Sequence, residues 1–367
     1  MRILTVLGTR PEIIRLSRVI PELDALAGDG IEHLVADTGQ NYEESLSGLF
    51  YDQLDVREPD FRLGVRGESF GARIAGIITG VERLIAEHRP DRLLVLGDTD
   101  SGIAAFVAKR MGVEVFHMEA GNRCFDDRVP EEVNRRLIDH SSDLLMPYTA
   151  NSARNLAEEG ISPERTRITG NPIKEVLDHH GERIAASGAL DRYGFEPGEY
   201  MLLTAHRQEN VDHPERLEAL IEGVTGAAAD SRLPLLCAVH PRTARRLEQA
   251  EGSLEGEGIV TTPPLGFFDF VSLEQHARCA ITDSGTVQEE CCLFGVPAVT
   301  IRDSTERPET VECGSNVVCG LEPDRIREAV GAAVRGYPAW EPPAEYLFED
   351  VSGTVADLLE APSTEWS

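Results

Sequence analysis

Short apolar runs rich in Val, Ile and Leu alternate along this chain with longer segments whose apolar residues recur every three to four positions. In the first half the pattern predicts strands over 2–8, 31–37, 92–96, 113–117 and 144–146. Between them fall helices from Pro11 to about Ala27, over 70–88, from 101 to Met111, and over 131–143. A helix over 173–186 and a polar, Gly- and acid-rich stretch near 187–199 follow. The pattern then restarts, with strands expected over 200–204, 233–239, 258–260, 280–282 and 298–301. Alternation of this kind is βαβ architecture with a parallel sheet. The fold class is therefore α/β, with two Rossmann-like domains and a cleft between them. The first domain is expected over 1–172 and the second over 173–347. A last helix over 348–359 has no strand after it and is a candidate to dock back on the first half.

The polar residues concentrate where predicted strands end, which is where open α/β sheets bind ligands. The stretch from Val115 to Arg136 is the densest. A strand ends at Glu119, a loop with Gly121 follows, and Pro130 sits where a helix should start. Glu131 and Arg135 are four apart and share one helix face. Read alone, this stretch is better explained by a helix-capping Glu119 and a solvated charged face. Further on, Asp283-Ser284-Gly285-Thr286 follows one strand and opens a helix, so its backbone N–H groups can meet an anion. Glu290 lies one to two turns in, within reach of sugar hydroxyls. An ordinary Ser cap explains that loop equally well. His206 directly follows another strand, in Ala205-His206-Arg207-Gln208-Glu209-Asn210, and is better placed for chemistry than a helical His. His240 is a second strand-end His, whereas His179, His180 and His213 read as surface residues. Arg302 and Arg307 flank Asp303-Ser304-Thr305-Glu306, and with Arg10, Arg123 and Arg207 they suggest an anionic ligand.

Charge sharpens that suggestion. The 367 residues carry 64 acidic and 35 basic side chains, a formal net charge of -29. Lys occurs only at 109 and 174. Arg clustered at strand ends stands out against such a background. The excess acid disfavours nucleic acid and anionic membranes as partners. Because it is scattered rather than massed in a tail, it reads as a halophilic signature, self-repulsion being screened by salt. Seven Cys without a C-x-x-C pair indicate a reduced, cytoplasmic interior. The first residues are too short an apolar run for a signal peptide, and no run approaches the roughly 18–20 apolar residues a membrane span needs. There is no G-x-G-x-x-G, and neither Lys follows Gly, which excludes a Walker A loop. Gly67-Glu68-Ser69-Phe70-Gly71 fits a nucleophile elbow but lacks a buried strand before it, so Ser69 reads as a helix cap. No His, Cys and Asp cluster has metal spacing, and no metal or cofactor is expected.

Taken together, several motifs in order resemble the non-hydrolysing UDP-N-acetylglucosamine 2-epimerases. They are Gly8-Thr9-Arg10-Pro11-Glu12, Gly97-Asp98-Thr99, Glu119-Ala120-Gly121, Pro130-Glu131-Glu132-x-Asn134-Arg135, His206-Arg207-x-Glu209-Asn210, Asp283-Ser284-Gly285-x-x-Gln288-Glu289-Glu290, and Arg302 to Glu309. The resemblance implies a GT-B-like fold, a homodimer and a UDP-sugar substrate. It implies inversion at sugar C2, interconverting UDP-GlcNAc and UDP-ManNAc by elimination and re-addition of UDP. Asp98, Glu119 and Glu131 then share the roles of base, acid and cation stabiliser, with no one of them singled out as the base. His206 and Arg10, helped by Arg135, meet the charge on departing UDP. Ser284, Gly285, Glu290 and Arg307 hold UDP, with Arg207 nearby and Phe270 against the uracil. Arg15 stands where the family commonly has Lys, keeping a cation for phosphate in a different geometry. Asn41 replaces the usual His after Gln40, a region tied in bacterial members to activation by UDP-GlcNAc.

The 121–130 loop and residues 13–17 look more like the branch acting on modified substrates. Those are UDP-2,3-diacetamido-glucuronate and UDP-N-acetyl-6-deoxy-L-talosamine. A glycosyltransferase of the same fold would need an acceptor and fewer acidic residues. A sugar-nucleotide sensor would bind without turnover, and a hydrolysing epimerase would release free ManNAc.

Overall fold

A computed structural model describes residues 1–40, 44–65, 67, 69–239, 241–249, 254 and 258–362. It divides into two compact units, Met1–His179 together with the C-terminal stretch from Ala344, and His180–Pro343.

The first unit holds a six-stranded parallel sheet: β1 (Arg2–Leu7), β2 (Glu32–Asp37), β3 (Phe61–Arg62), β4 (Arg92–Leu96), β5 (Glu114–Met118) and β6 (Leu144–Met146), in the order β3-β2-β1-β4-β5-β6. The second unit repeats the design with β7 (Met201–Thr204), β8 (Leu235–Ala238), β9 (Ile259–Thr262), β10 (Cys279–Thr282), β11 (Ala298–Thr300) and β12 (Asn316–Val318), in the order β12-β11-β10-β7-β8-β9. Each is the doubly wound order in which chain direction reverses beside the first strand. The switch points are thus β1/β4 and β7/β10.

The central strands are continuous apolar runs because helices cover both faces. Ile3, Leu4, Val6, Leu93, Leu94, Val95 and Val115 are essentially fully buried in the first sheet, as are Met201, Leu202, Leu203, Ala280 and Ile281 in the second. Each Val, Leu, Ile or Met side chain among these contributes about 1.5–3 kcal/mol.

Departures from the expected elements have local causes. The first helix breaks into Arg10–Leu16 and Val19–Ala25. Pro21 lacks an N–H and its ring would clash with the Ser17 carbonyl, while the Ser17 hydroxyl donates to the Ile14 carbonyl at 2.7 Å. The helix expected over 173–186 breaks before Gly181 into Ile173–His179 and Gly181–Ala185. The edge strands β3 and β12 are two and three residues long, too short to show a period. The last helix, Val351–Glu360, packs on Val19–Ala25 of the first unit, and Arg92 donates to its Leu359 carbonyl. Among the described residues no helix is long and apolar enough to cross a membrane.

Candidate active site

At the first switch point the chain leaves β1 through Gly8. A Cβ there would lie 2.0 Å from the Thr38 hydroxyl and 2.5 Å from that of Ser101, so only glycine permits this approach. Pro11 and Glu12 then start a helix whose first residue is Arg10, half-buried with its guanidinium 5.6 Å from the Phe50 ring. Glu12 is buried and ties this turn to the end of β4. It accepts from the Gly8 N–H at 3.0 Å, the Thr9 N–H at 2.7 Å, the Thr9 hydroxyl at 2.8 Å and the Thr99 hydroxyl at 3.0 Å. Burial pushes its carboxyl up from 4.5 to about 7 against those donors. Between those values the folded protein holds a proton that the unfolded chain has released, so Glu12 favours folding less as pH rises through the window. Denaturant midpoints measured across pH 4.5–7 should therefore fall more steeply for wild type than for Glu12→Gln; parallel curves would contradict the assignment.

Asp98 and Glu119 leave the adjacent strands β4 and β5, locked by the Gly97 N–H donating to the Met118 carbonyl at 3.0 Å. Glu119 has φ of +64°, a left-handed conformation rare for a residue with a Cβ, and its N–H is held by the Met146 carbonyl at 3.1 Å. Strain of this kind collects at functional sites. Its carboxylate pairs with Arg15, both side chains being almost completely buried, and the Arg15 guanidinium lies 5.7 Å from the Tyr148 ring. Asp98 keeps 18% of its side chain exposed, accepts from Arg135 Nε at 2.9 Å and forms an ion pair with Nη2 of the same guanidinium at 2.6 Å. Arg135 also pairs with Glu132 at 2.6 Å, and Asn134 donates to the Asp98 carbonyl at 2.9 Å. Glu131 is the second residue of that helix and is half-buried. In this unit the structure thus brings Asp98 against Arg135 and Glu119 against Arg15.

At the second switch point buried Asp283 organises the loop after β7. It accepts from the backbone N–H of His206 at 3.0 Å and of Arg207 at 2.9 Å, and from the Asn210 amide at 3.0 Å. Burial raises its pKa, with those donors opposing. The His206 ring, 35% exposed with Nδ1 3.3 Å from Asp283, projects from this fixed backbone. Ser284 precedes the helix Gly285–Phe294. A Cβ on Gly285 would lie 2.8 Å from a Glu306 oxygen and 3.5 Å from the Arg307 guanidinium, so glycine lets both side chains reach the helix N-terminus. Glu306 accepts from Arg302 at 2.8 Å and Arg207 at 3.3 Å, and Arg307 pairs with Glu289 at 2.5 Å. Glu290 is buried beside Glu274, whose carboxyl is raised by burial and then by the Glu290 charge. Phe270 is half-buried on the helix Phe267–Gln275, against the core around Tyr200 and Leu273.

Some expectations change. Arg123 carries no ligand-facing surface: its fully buried guanidinium is taken up by Asp139 at 2.8 Å and Glu159 at 2.6 Å. Arg302 is sealed in the same way by Glu306. Both were strand-end arginines whose partners lie far along the chain or inside the same loop, and spacing does not reveal pairing. His180 is buried, its ring edge-on to Phe267 at 6.2 Å, rather than on the surface. Ser69 caps the helix Phe70–His88, accepting from the Ala72 N–H at 3.2 Å. Asn41 and His240 lie outside the described residues. Glu274, His117 and Asp139 drew no attention in the sequence, and Glu12 and Glu306 stood in its motifs without an assigned role. Of these, Glu12 alone carried a local signal, the Thr9-x-x-Glu12 spacing of a capping box. Among the described residues no group of His, Cys, Asp and Glu could hold a metal ion.

The sequence matches the family model described as UDP-N-acetylglucosamine 2-epimerase over residues 24–360. The UDP-N-acetylglucosamine 2-epimerase of Methanocaldococcus jannaschii is 35% identical, the match covering 94% of this chain and 95% of that protein. The UDP-2,3-diacetamido-2,3-dideoxy-D-glucuronate 2-epimerase of Pseudomonas aeruginosa is 34% identical, over 90% and 91%. The crystal structure of the M. jannaschii epimerase in complex with UDP-GlcNAc and UDP superposes with a TM-score of 0.91 at 33% identity, covering 98% of this chain and 99% of that one. This chain belongs to the UDP-N-acetylglucosamine 2-epimerase family, on a two-domain Rossmann-like, GT-B-like fold.

Proposed function

We propose that the chain interconverts UDP-GlcNAc and UDP-ManNAc without hydrolysis, the first unit carrying the sugar chemistry and the second holding UDP. The observation that carries the reading is the pair of guanidinium-partnered carboxylates, Asp98 and Glu119, on adjacent strand ends. C2 has no neighbouring carbonyl to acidify its proton, so the proton leaves together with the anomeric substituent. A carboxylate takes the C2 proton, C1=C2 forms, and the C1–O pair departs with UDP. Re-addition returns a proton to the opposite face of C2 while the UDP oxygen attacks C1. Asp98, Glu119 and Glu131 divide the base, acid and charge-stabilising roles. Arg10, Arg15, Arg135 and His206 meet the growing negative charge, and Arg207, Ser284, Gly285, Glu290, Arg307 and Phe270 bind the nucleotide. A homodimer in a cytoplasmic, salt-rich medium belongs to this reading, the medium following from the net charge of -29.

A second substrate has specific support, because a diacetamido-glucuronate epimerase is 34% identical over 90% of this chain, against 35% over 94% for the M. jannaschii enzyme. Purified protein in molar KCl, given each sugar nucleotide without acceptor or metal, decides between them. A larger kcat/KM for UDP-GlcNAc is expected. A preference for the diacetamido substrate would transfer the assignment to it, and free ManNAc as product would overturn the non-hydrolysing reaction.

A further inference from the structure

Behind the two carboxylates lies a set of buried polar groups that neither proton transfer nor UDP departure uses. His117, in the middle of β5, is 1% exposed. Its Nδ1 is 2.8 Å from Asp139 Oδ1 and its Nε2 is 2.8 Å from the Gly97 carbonyl. A carbonyl only accepts, and a carboxylate between these partners also accepts, so the ring donates from both nitrogens. The other Asp139 oxygen takes the Gly121 N–H at 3.2 Å and the Arg123 guanidinium at 2.8 Å. Arg123 then reaches Glu159 at 2.6 Å. Asp139 and Glu159 thus share Arg123, and His140 lies 3.7 Å from Glu159 at the outer end.

What the set grips explains its place. Gly97, at φ of +75°, immediately precedes Asp98; Gly121, at φ of +78°, comes two residues after Glu119. Asp139 rides on the helix Pro130–Ser141, which also supplies Arg135 and Asn134 to Asp98. One imidazole and one carboxylate therefore tie together both strand-end loops and the helix that orients Asp98. Apolar side chains would fill the same volume at less desolvation cost, so ions here serve placement rather than stability.

We propose that His117, carrying hydrogens on both ring nitrogens, and Asp139 are positioning residues that fix the Asp98 and Glu119 loops for proton transfer at C2. The proposal rests on the epimerase reading above. Its test is kinetics on Asp139→Asn and His117→Asn at a temperature where each variant is folded, with UDP affinity by calorimetry. Loss of placement should lower kcat on the order of 10²-fold, with KM and UDP affinity changing far less than kcat, since Arg207, Ser284, Gly285, Glu290, Arg307 and Phe270 belong to the other unit. A folded variant with wild-type kcat, or one whose KM rises at unchanged kcat, overturns it. Ring ¹⁵N shifts of His117 in the wild-type protein decide the matter even where the variants do not fold. Two protonated nitrogens support the proposal; a neutral ring with one N–H overturns it. Wild-type protein inert towards both sugar nucleotides would defeat the epimerase reading itself, an outcome separate from the ring protonation.

Discussion

Replacing Glu119 by Gln should lower kcat by about 10²–10⁴-fold, the range over which a positioned acid or base contributes. The loss is expected whichever proton Glu119 handles, because the amide neither accepts a proton at neutral pH nor carries charge to balance a cationic transition state. The substitution also leaves Arg15, 3% exposed, facing an uncharged partner. Breaking a buried pair from one side costs about 3–5 kcal/mol, so the melting temperature should fall as well. The kinetic measurement must therefore be made well below the new transition. There UDP should bind as it does to wild type. A folded Glu119→Gln enzyme with near-wild-type kcat would remove Glu119 from the chemistry and leave its strained backbone without a functional account.

Asp283→Ala should be the most damaging change in the second unit. The carboxylate is fully buried and serves the His206 and Arg207 N–H groups and the Asn210 amide together. Asn210 keeps the Ile301 carbonyl as an acceptor, but the two backbone N–H groups lose theirs at about 1–3 kcal/mol each, so a destabilisation of about 2–6 kcal/mol is expected in a denaturant titration. The same change frees the backbone that aims His206 and Arg207, and UDP affinity should drop with it. Asp283→Asn keeps one accepting oxygen and should fall between the two. Equal stability of wild type and Asp283→Ala would show that water replaces the carboxylate, which its burial argues against.

The sheet and most helices were legible because buried parallel strands are continuous apolar runs while helices repeat every three to four residues. What escaped were the two- and three-residue edge strands, the helix breaks at Pro21 and Gly181, and three helices that the reading left unmarked, Glu44–Gln53, Ala150–Glu158 and Pro323–Arg335. In the candidate site, strand-end loops were legible because ligand-binding polar residues interrupt apolar runs there. Arg123 looked as free for an anion as Arg10 did, since its partners Asp139 and Glu159 come 16 and 36 residues later. His117 sat inside a strand run and gave no sign that its ring meets the Gly97 carbonyl. Residues whose role is to hold other residues are visible only once distant parts of the chain meet.

Deuterium at C2 reports whether the proton is exchanged during epimerisation. The protein is incubated with UDP-GlcNAc in D2O and the sugar nucleotides are resolved by NMR and mass spectrometry. The expected products are UDP-ManNAc carrying one deuterium at C2 and, as reversal proceeds, deuterated UDP-GlcNAc, with no free sugar. UDP-ManNAc formed with C2 still fully protonated would contradict proton removal by an exchangeable carboxylate, and with it the roles given to Asp98, Glu119 and Glu131.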